Sequence, residues 1–141
     1  MQQWNIESEE KTKPEDLRFL IGRLHDFNVT NSPTPFERKD VRLFIRDEAG
    51  EILGGFLGTV SLHCLIIQIL WVEEPLRGGG MGRSLVERAM EIAMAHGAKQ
   101  AIVETTSFQA PGFYEKLGFA IICEIPDCPI GAKTLLLLRS L

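Results

Sequence analysis

Four glycines crowd into five positions, Gly78, Gly79, Gly80 and Gly82, between an apolar run that ends at Val72 and a helical pattern that starts just past Gly82. So much glycine costs chain entropy, and a folded chain tolerates it where the backbone must take left-handed angles or come close to a ligand. The first amides of a helix have no intrahelical acceptor, and the helix dipole adds partial positive charge there. A strand, a glycine turn and a helix start therefore make a site for phosphate oxygens. Arg77 and Arg83 bracket it with positive charge, although the whole chain carries a formal charge of −4.

Three phosphate-binding schemes compete for this segment. A P-loop needs Lys-Ser/Thr after its last glycine. Arg83-Ser84 only imitates that pair, and Arg77 stands where the first glycine belongs. A dinucleotide fingerprint G-x-G-x-x-G, read from Gly78, ends on Arg83, and the strands ahead of it have an antiparallel pattern. What remains is R-x-x-G-x-G, carried by Arg77, Gly80 and Gly82.

The flanking periodicities define an α/β chain. Residues 4–7 read as a short strand, and Lys13-Pro14-Glu15-Asp16 as a helix start, with proline in the first turn and acids at the positive end of the dipole. Leu17, Leu20, Ile21, Leu24 and Phe27 continue that helix as an apolar stripe, and the prolines of residues 31–35 break it. Residues 41–46 and 51–59 read as strands joined by the turn at 47–50. Residues 63–72 are too apolar for a half-solvated strand, which predicts a central strand covered on both faces. Leu85, Val86, Ala89, Met90 and Ala93 share one helical face, and His96-Gly97 ends that helix. A strand at 99–105, a short helix at 111–117 and strands at 119–125 and 134–139 complete a mixed sheet flanked by helices.

Length and composition set the remaining bounds. With 141 residues and no internal linker, the chain is read as a single domain, 1–141. The acidic balance excludes nucleic acid or an anionic membrane as main partner, because both call for a basic face. No apolar run approaches the roughly 20 residues of a membrane span. Residues 1–10 lack the pattern of a secretory signal, so a cytoplasmic location is expected. Cys64, Cys123 and Cys128 lack metal-ligand spacing and are read as reduced thiols, with no metal expected.

R-x-x-G-x-G between a strand and a helix resembles the acetyl-CoA motif of the GNAT superfamily of N-acetyltransferases. Phe113-Tyr114-Glu115-Lys116-Leu117-Gly118-Phe119 resembles a second feature of that family, and residues 70–74, 107–111 and 125–129 resemble a compact bacterial subgroup. The resemblance implies a GNAT-like fold and acetyl-CoA as co-substrate. Its pyrophosphate would rest on amides of Gly78, Gly79, Gly80, Met81, Gly82 and Arg83 beside Arg77. Its pantetheine arm would pair with Leu70 and Val72 in a slot where strand 99–105 splays away, and Ser107 would contact CoA in place of an asparagine found in relatives. A primary amine, on a small molecule or a protein, would attack the thioester directly, with a strand N–H near Leu70 stabilising the oxyanion.

By the same resemblance Tyr114 would protonate the leaving thiolate. The competing reading of this residue is core packing beside Phe113. Glu104 is the candidate base, against a solvated strand acid. Glu73 and Glu74 fit capping or loop contacts, and His63 lies about 20 Å along the strand from Leu70. His25, Asp26 and Asn28 are acceptor-side candidates, Trp71 and Phe108 could wall the slot, and His96 belongs to its helix end. The alternative of another class is a non-catalytic acetyl-CoA-binding sensor. A homodimer is compatible with residues 135–138, which equally suit a buried central strand.

Overall fold

The computed structural model describes residue 1 and residues 4–141 as two compact units, Met1–Phe36 and Glu37–Leu141. The first holds α1 (Pro14–Asn31). Lys13 is extended and Pro14 opens the helix, as the proline and acids predict. Thr30 and Asn31 fold their side chains back onto the Asp26 and Phe27 carbonyls, and Ser32 N–H donates to Asn28 before the prolines end the run. Residues 4–7, expected as a strand, are not one: among the described residues no segment pairs with them, and a strand exists only through its partner.

The second unit is a six-stranded sheet, ordered β1-β2-β3-β4-β6-β5. Its strands are β1 (Arg38–Arg46), β2 (Ile52–Ser61), β3 (Cys64–Val72), β4 (Gln100–Thr106), β5 (Ala120–Pro126) and β6 (Lys133–Ser140). β3 and β4 are parallel and every other pairing is antiparallel. A parallel pair needs a crossover, and α2 (Met81–Ala95) supplies it. α2 buries Leu85, Val86, Ala89, Met90 and Ala93, the stripe that the helical period picks out. They share a core with Phe56, Leu65 and Ile67 on the sheet, and with Leu117 and Phe119 beyond the short helix α3 (Pro111–Lys116).

β3 is central, as its apolar run predicts, but within Glu37–Leu141 only one of its faces is buried. Leu65 and Ile67 are buried on the α2 side, while Ile66, Ile69 and Trp71 are exposed on the other. β6 lies between β4 and β5 with Leu135 and Leu137 in the core, the central-strand outcome for residues 135–138.

Close backbone approach fixes one glycine of β2. A Cβ on Gly58 would lie 2.8 Å from the Ile66 carbonyl oxygen and 2.8 Å from the Phe56 ring. Phe56 is fully buried and cannot move aside. Gly58→Ala should therefore cost about 1–3 kcal/mol, the usual range for overpacking, and thermal unfolding should show a melting point several degrees lower.

Candidate functional site

β3 and β4 pair over only four positions, Cys64–Ile67 against Gln100–Val103. The separation begins at a bulge. Leu57 faces Ile69 and Gly58 faces Ile67, so Gln68 is an extra residue in β3. Beyond it β3 stays on β2 and β4 stays on β6, which leaves an opening between the two parallel strands.

The amides of β3 are turned into this opening in alternation. Glu73 N–H donates to the Leu53 carbonyl at 2.9 Å, so the Glu73 and Trp71 positions bond toward β2. Leu70 and Val72, at the intervening non-bonded pairs, point their N–H and C=O groups away from β2.

The opening runs up to the glycine turn. After a 3₁₀ turn at Glu74–Leu76, Gly78 and Gly80 take φ of 78° and 83°, and Gly80 forms the N-cap of α2. The Gly80 carbonyl accepts Ser84 N–H at 3.0 Å, so Met81, Gly82 and Arg83 begin the helix with amides that lack intrahelical acceptors. Gly82 serves packing: a Cβ there would stand 3.3 Å from the Phe113 ring of α3.

Turn and opening together form a cleft of about 970 Å³. This is at the upper end for small-ligand sites and large enough for an extended cofactor. Leu70, Val72, Arg77, Gly78, Gly80, Met81, Gly82 and Arg83 line it, as do Glu104 and Tyr114. Trp71 and Phe108 form part of its wall, as the sequence suggests. Gly79 belongs to the same turn but not to the lining, and Ser107 is not brought to the cleft. The Ser107 hydroxyl accepts Lys133 N–H at 3.0 Å and faces a separate hollow beside the β5–β6 turn.

Two lining residues escape motif reading. Gln68 carries the bulge, and Gln109 uses its carbonyl oxygen to accept the Thr105 hydroxyl at 2.8 Å and Thr106 N–H at 3.1 Å, closing the turn after β4. A single sequence gives no signal for the first, because a bulge is a property of two paired strands. The polar turn 105–109 could have suggested the second.

The charged groups are held in distinct ways. Arg83 donates to Glu87 at 3.0 Å and to the Lys116 carbonyl at 3.3 Å, tying α2 to the end of α3. Arg77 donates from Nε to the Val72 carbonyl at 2.9 Å. Glu104 is exposed one residue beyond the last β3–β4 pair, opposite Leu136 of β6. Glu73 accepts the Trp71 indole N–H, and Glu74 opens the 3₁₀ turn. His63 sits in the β2–β3 turn at φ 61°, and His96 caps α2. His25, Asp26 and Asn28 lie on α1 of the first unit, with the His25 ring edge-on to Phe36. Among the described residues no cluster of His, Cys, Asp or Glu could hold a metal ion, and no helix is long and apolar enough to cross a membrane.

Tyr114 is packed in the core and also reaches the cleft. It is 7% exposed and packs edge-on against Phe113 at 5.1 Å and Phe119 at 5.6 Å, yet it also lines the cleft. Burial disfavours the phenolate and pushes its pKa up to about 12. The phenol is therefore neutral, and a donor, at any physiological pH.

A mixed sheet parted between two parallel strands, with a glycine turn at the parting, defines an acyltransferase-type α/β fold. The family model of the Acetyltransferase (GNAT) family matches residues 1–119. Over 95 residues the chain is 41% identical to blasticidin-S acetyltransferase of Streptomyces morookaense, covering 67% of this chain and 70% of that one. A crystal structure from Agrobacterium tumefaciens superposes with a TM-score of 0.90 at 24% identity, covering 98% of this chain and 100% of that one. A Bacillus anthracis protein crystallised with acetyl coenzyme A shares the fold with a TM-score of 0.65 at 18% identity, over 78% of this chain and 65% of that one. The chain belongs to the GNAT acetyltransferase family.

Proposed function

We propose that residues 1–141 act as one domain that transfers the acetyl group of acetyl-CoA to a primary amine within a ternary complex. The observation that carries this reading is the opening between β3 and β4, which exposes the Leu70 and Val72 amides and ends on the N-terminus of α2. The diphosphate rests on the amides of the glycine turn, and the thioester arm adds along β3 like a short strand. The amine nitrogen attacks the thioester carbonyl, the C–N bond forms, and the C–S bond breaks. Tyr114 donates to the departing sulfur. Glu104 takes the amine proton directly or through water, being a carboxylate of the cleft on the strand that has splayed away. Binding both reactants in line supplies much of the rate without a covalent enzyme intermediate.

A small cationic amine is the favoured acceptor class, given the net negative chain. Blasticidin S heads the panel because a relative acetylates it. With acetyl-CoA and an amine panel, a free-thiol assay should register thiol release that depends on both substrates. Tight CoA binding without thiol release from any amine would convert the reading into the sensor alternative.

The pH dependence follows from the Tyr114 environment. Turnover should rise with pH as the amine or its base deprotonates. A falling limb from loss of the phenol proton needs pH near 12, because burial raises the phenol pKa. A rate profile from pH 6 to pH 10 should rise to a plateau and stay there. A decline centred below pH 10 would remove Tyr114 as the donor.

A further inference from the structure

We infer that Arg77 is a latch on the thioester slot, released by the incoming arm and then used against the diphosphate. The inference rests on the reading that the slot takes an acyl-CoA arm. The Val72 carbonyl is turned into the opening, where β4 no longer offers a strand partner. Arg77 fills that vacancy from its own side chain, with Nε 2.9 Å from the carbonyl oxygen. Its guanidinium lies over the Trp71 ring, 4.6 Å from the centroid, and the Trp71 indole N–H is anchored on Glu73 at 3.2 Å. Glu73 thus orients Trp71, Trp71 gives the guanidinium a flat resting place, and Arg77 closes Val72.

An arm whose amide N–H pairs with Val72 enters the space that Arg77 holds. Once displaced, the guanidinium stands immediately before Gly78 and can meet the diphosphate on the turn. Entry of the arm is in this way coupled to delivery of a positive charge. The coupling has an unequal effect on donors of different length. S-acetylpantetheine has the arm but no diphosphate, so it must break the latch and offers no anion to the freed guanidinium. Acetyl-CoA breaks the same contact and gains the guanidinium.

The test compares the two donors in wild type, Arg77→Ala and Arg77→Lys. In Arg77→Ala the KM for S-acetylpantetheine should fall about threefold to tenfold, the worth of one removed hydrogen bond, while the KM for acetyl-CoA rises about tenfold. Arg77→Lys keeps the charge but not the flat stack. It should recover part of the acetyl-CoA affinity and keep the improved use of the short donor. A residue that merely shapes the turn would weaken both donors together, and that result would overturn the latch.

Fluorescence gives a second readout. Trp4 and Trp71 are the two tryptophans, so a Trp4→Phe background isolates Trp71. Coenzyme A and S-acetylpantetheine should each change the Trp71 emission, and Arg77→Ala should start near the liganded value. Calorimetric CoA binding with no change in Trp71 emission would overturn the latch alone. No calorimetric binding of CoA to wild type would overturn the slot reading beneath it.

Discussion

Gly80→Asp should weaken acetyl-CoA binding at least a hundredfold, whereas Gly80→Asn should weaken it less than tenfold. Gly80 has φ of 83°, and no heavy atom lies within 4 Å of a Cβ built there. Asparagine and aspartate are the side chains that best tolerate this left-handed angle, so both variants should fold with similar, small strain. They have nearly the same shape and differ by one charge. Two unit charges about 4 Å apart near a protein surface repel by about 4 kcal/mol, and screening leaves enough for a hundredfold loss. Gly82 would be a poorer probe, because any side chain there presses on the Phe113 ring 3.3 Å away and disturbs α2–α3 packing whether or not a ligand binds. Calorimetric titration of the two Gly80 variants, matched by melting temperature, is the measurement. Equal affinities would mean that no anion rests on the glycine turn.

What the sequence makes legible here is whatever depends on neighbours along the chain. The α2 stripe from Leu85 to Ala93 is buried as its period requires, since a helix is closed by bonds four residues apart. The glycine turn is legible for a similar reason: Gly78 and Gly80 do take the left-handed angles that their residue type invites. Pairing between distant segments is a different matter. Residues 4–7 have strand-like composition and no strand partner among the described residues. The Gln68 bulge, which opens the cleft, arises only when β3 is laid against β2.

Side-chain direction is the other blind spot. Arg77 reads as a charge for the diphosphate, yet its Nε lies on the Val72 carbonyl. Gly82 reads as room for a ligand and, while it lines the cleft, also makes room for Phe113. Ser107 and Gln109 are two residues apart, and the turn after β4 sends the first toward Lys133 and the second into the cleft. The glycine turn fixed where to look, and the paired strands decided which neighbouring groups are there.

Tyr114→Phe should reduce kcat by about thirtyfold to a hundredfold and leave the affinity for CoA within about threefold. The magnitude follows from the raised pKa. A phenol titrating at about 12 is a weaker acid than an ordinary thiol, whose reference pKa is about 8.5. Complete proton transfer to the leaving sulfur is therefore uphill, and the main contribution of Tyr114 is a hydrogen bond to the charge that develops there. A hydrogen bond to a charged group is worth about 1.5–3 kcal/mol, roughly 13-fold to 160-fold in rate, and the expected loss falls in the middle of that span. The larger factors seen with well-matched general acids need a donor whose pKa lies closer to the working pH. The substitution keeps both ring contacts, with Phe113 and Phe119, so the melting point should stay within a few degrees. This pattern also separates an enzyme from an acetyl-CoA sensor: a sensor would keep its ligand and have no turnover to lose. Wild-type kcat in a folded Tyr114→Phe variant would assign the tyrosine to the core alone and require the sulfur to leave with solvent as its only donor.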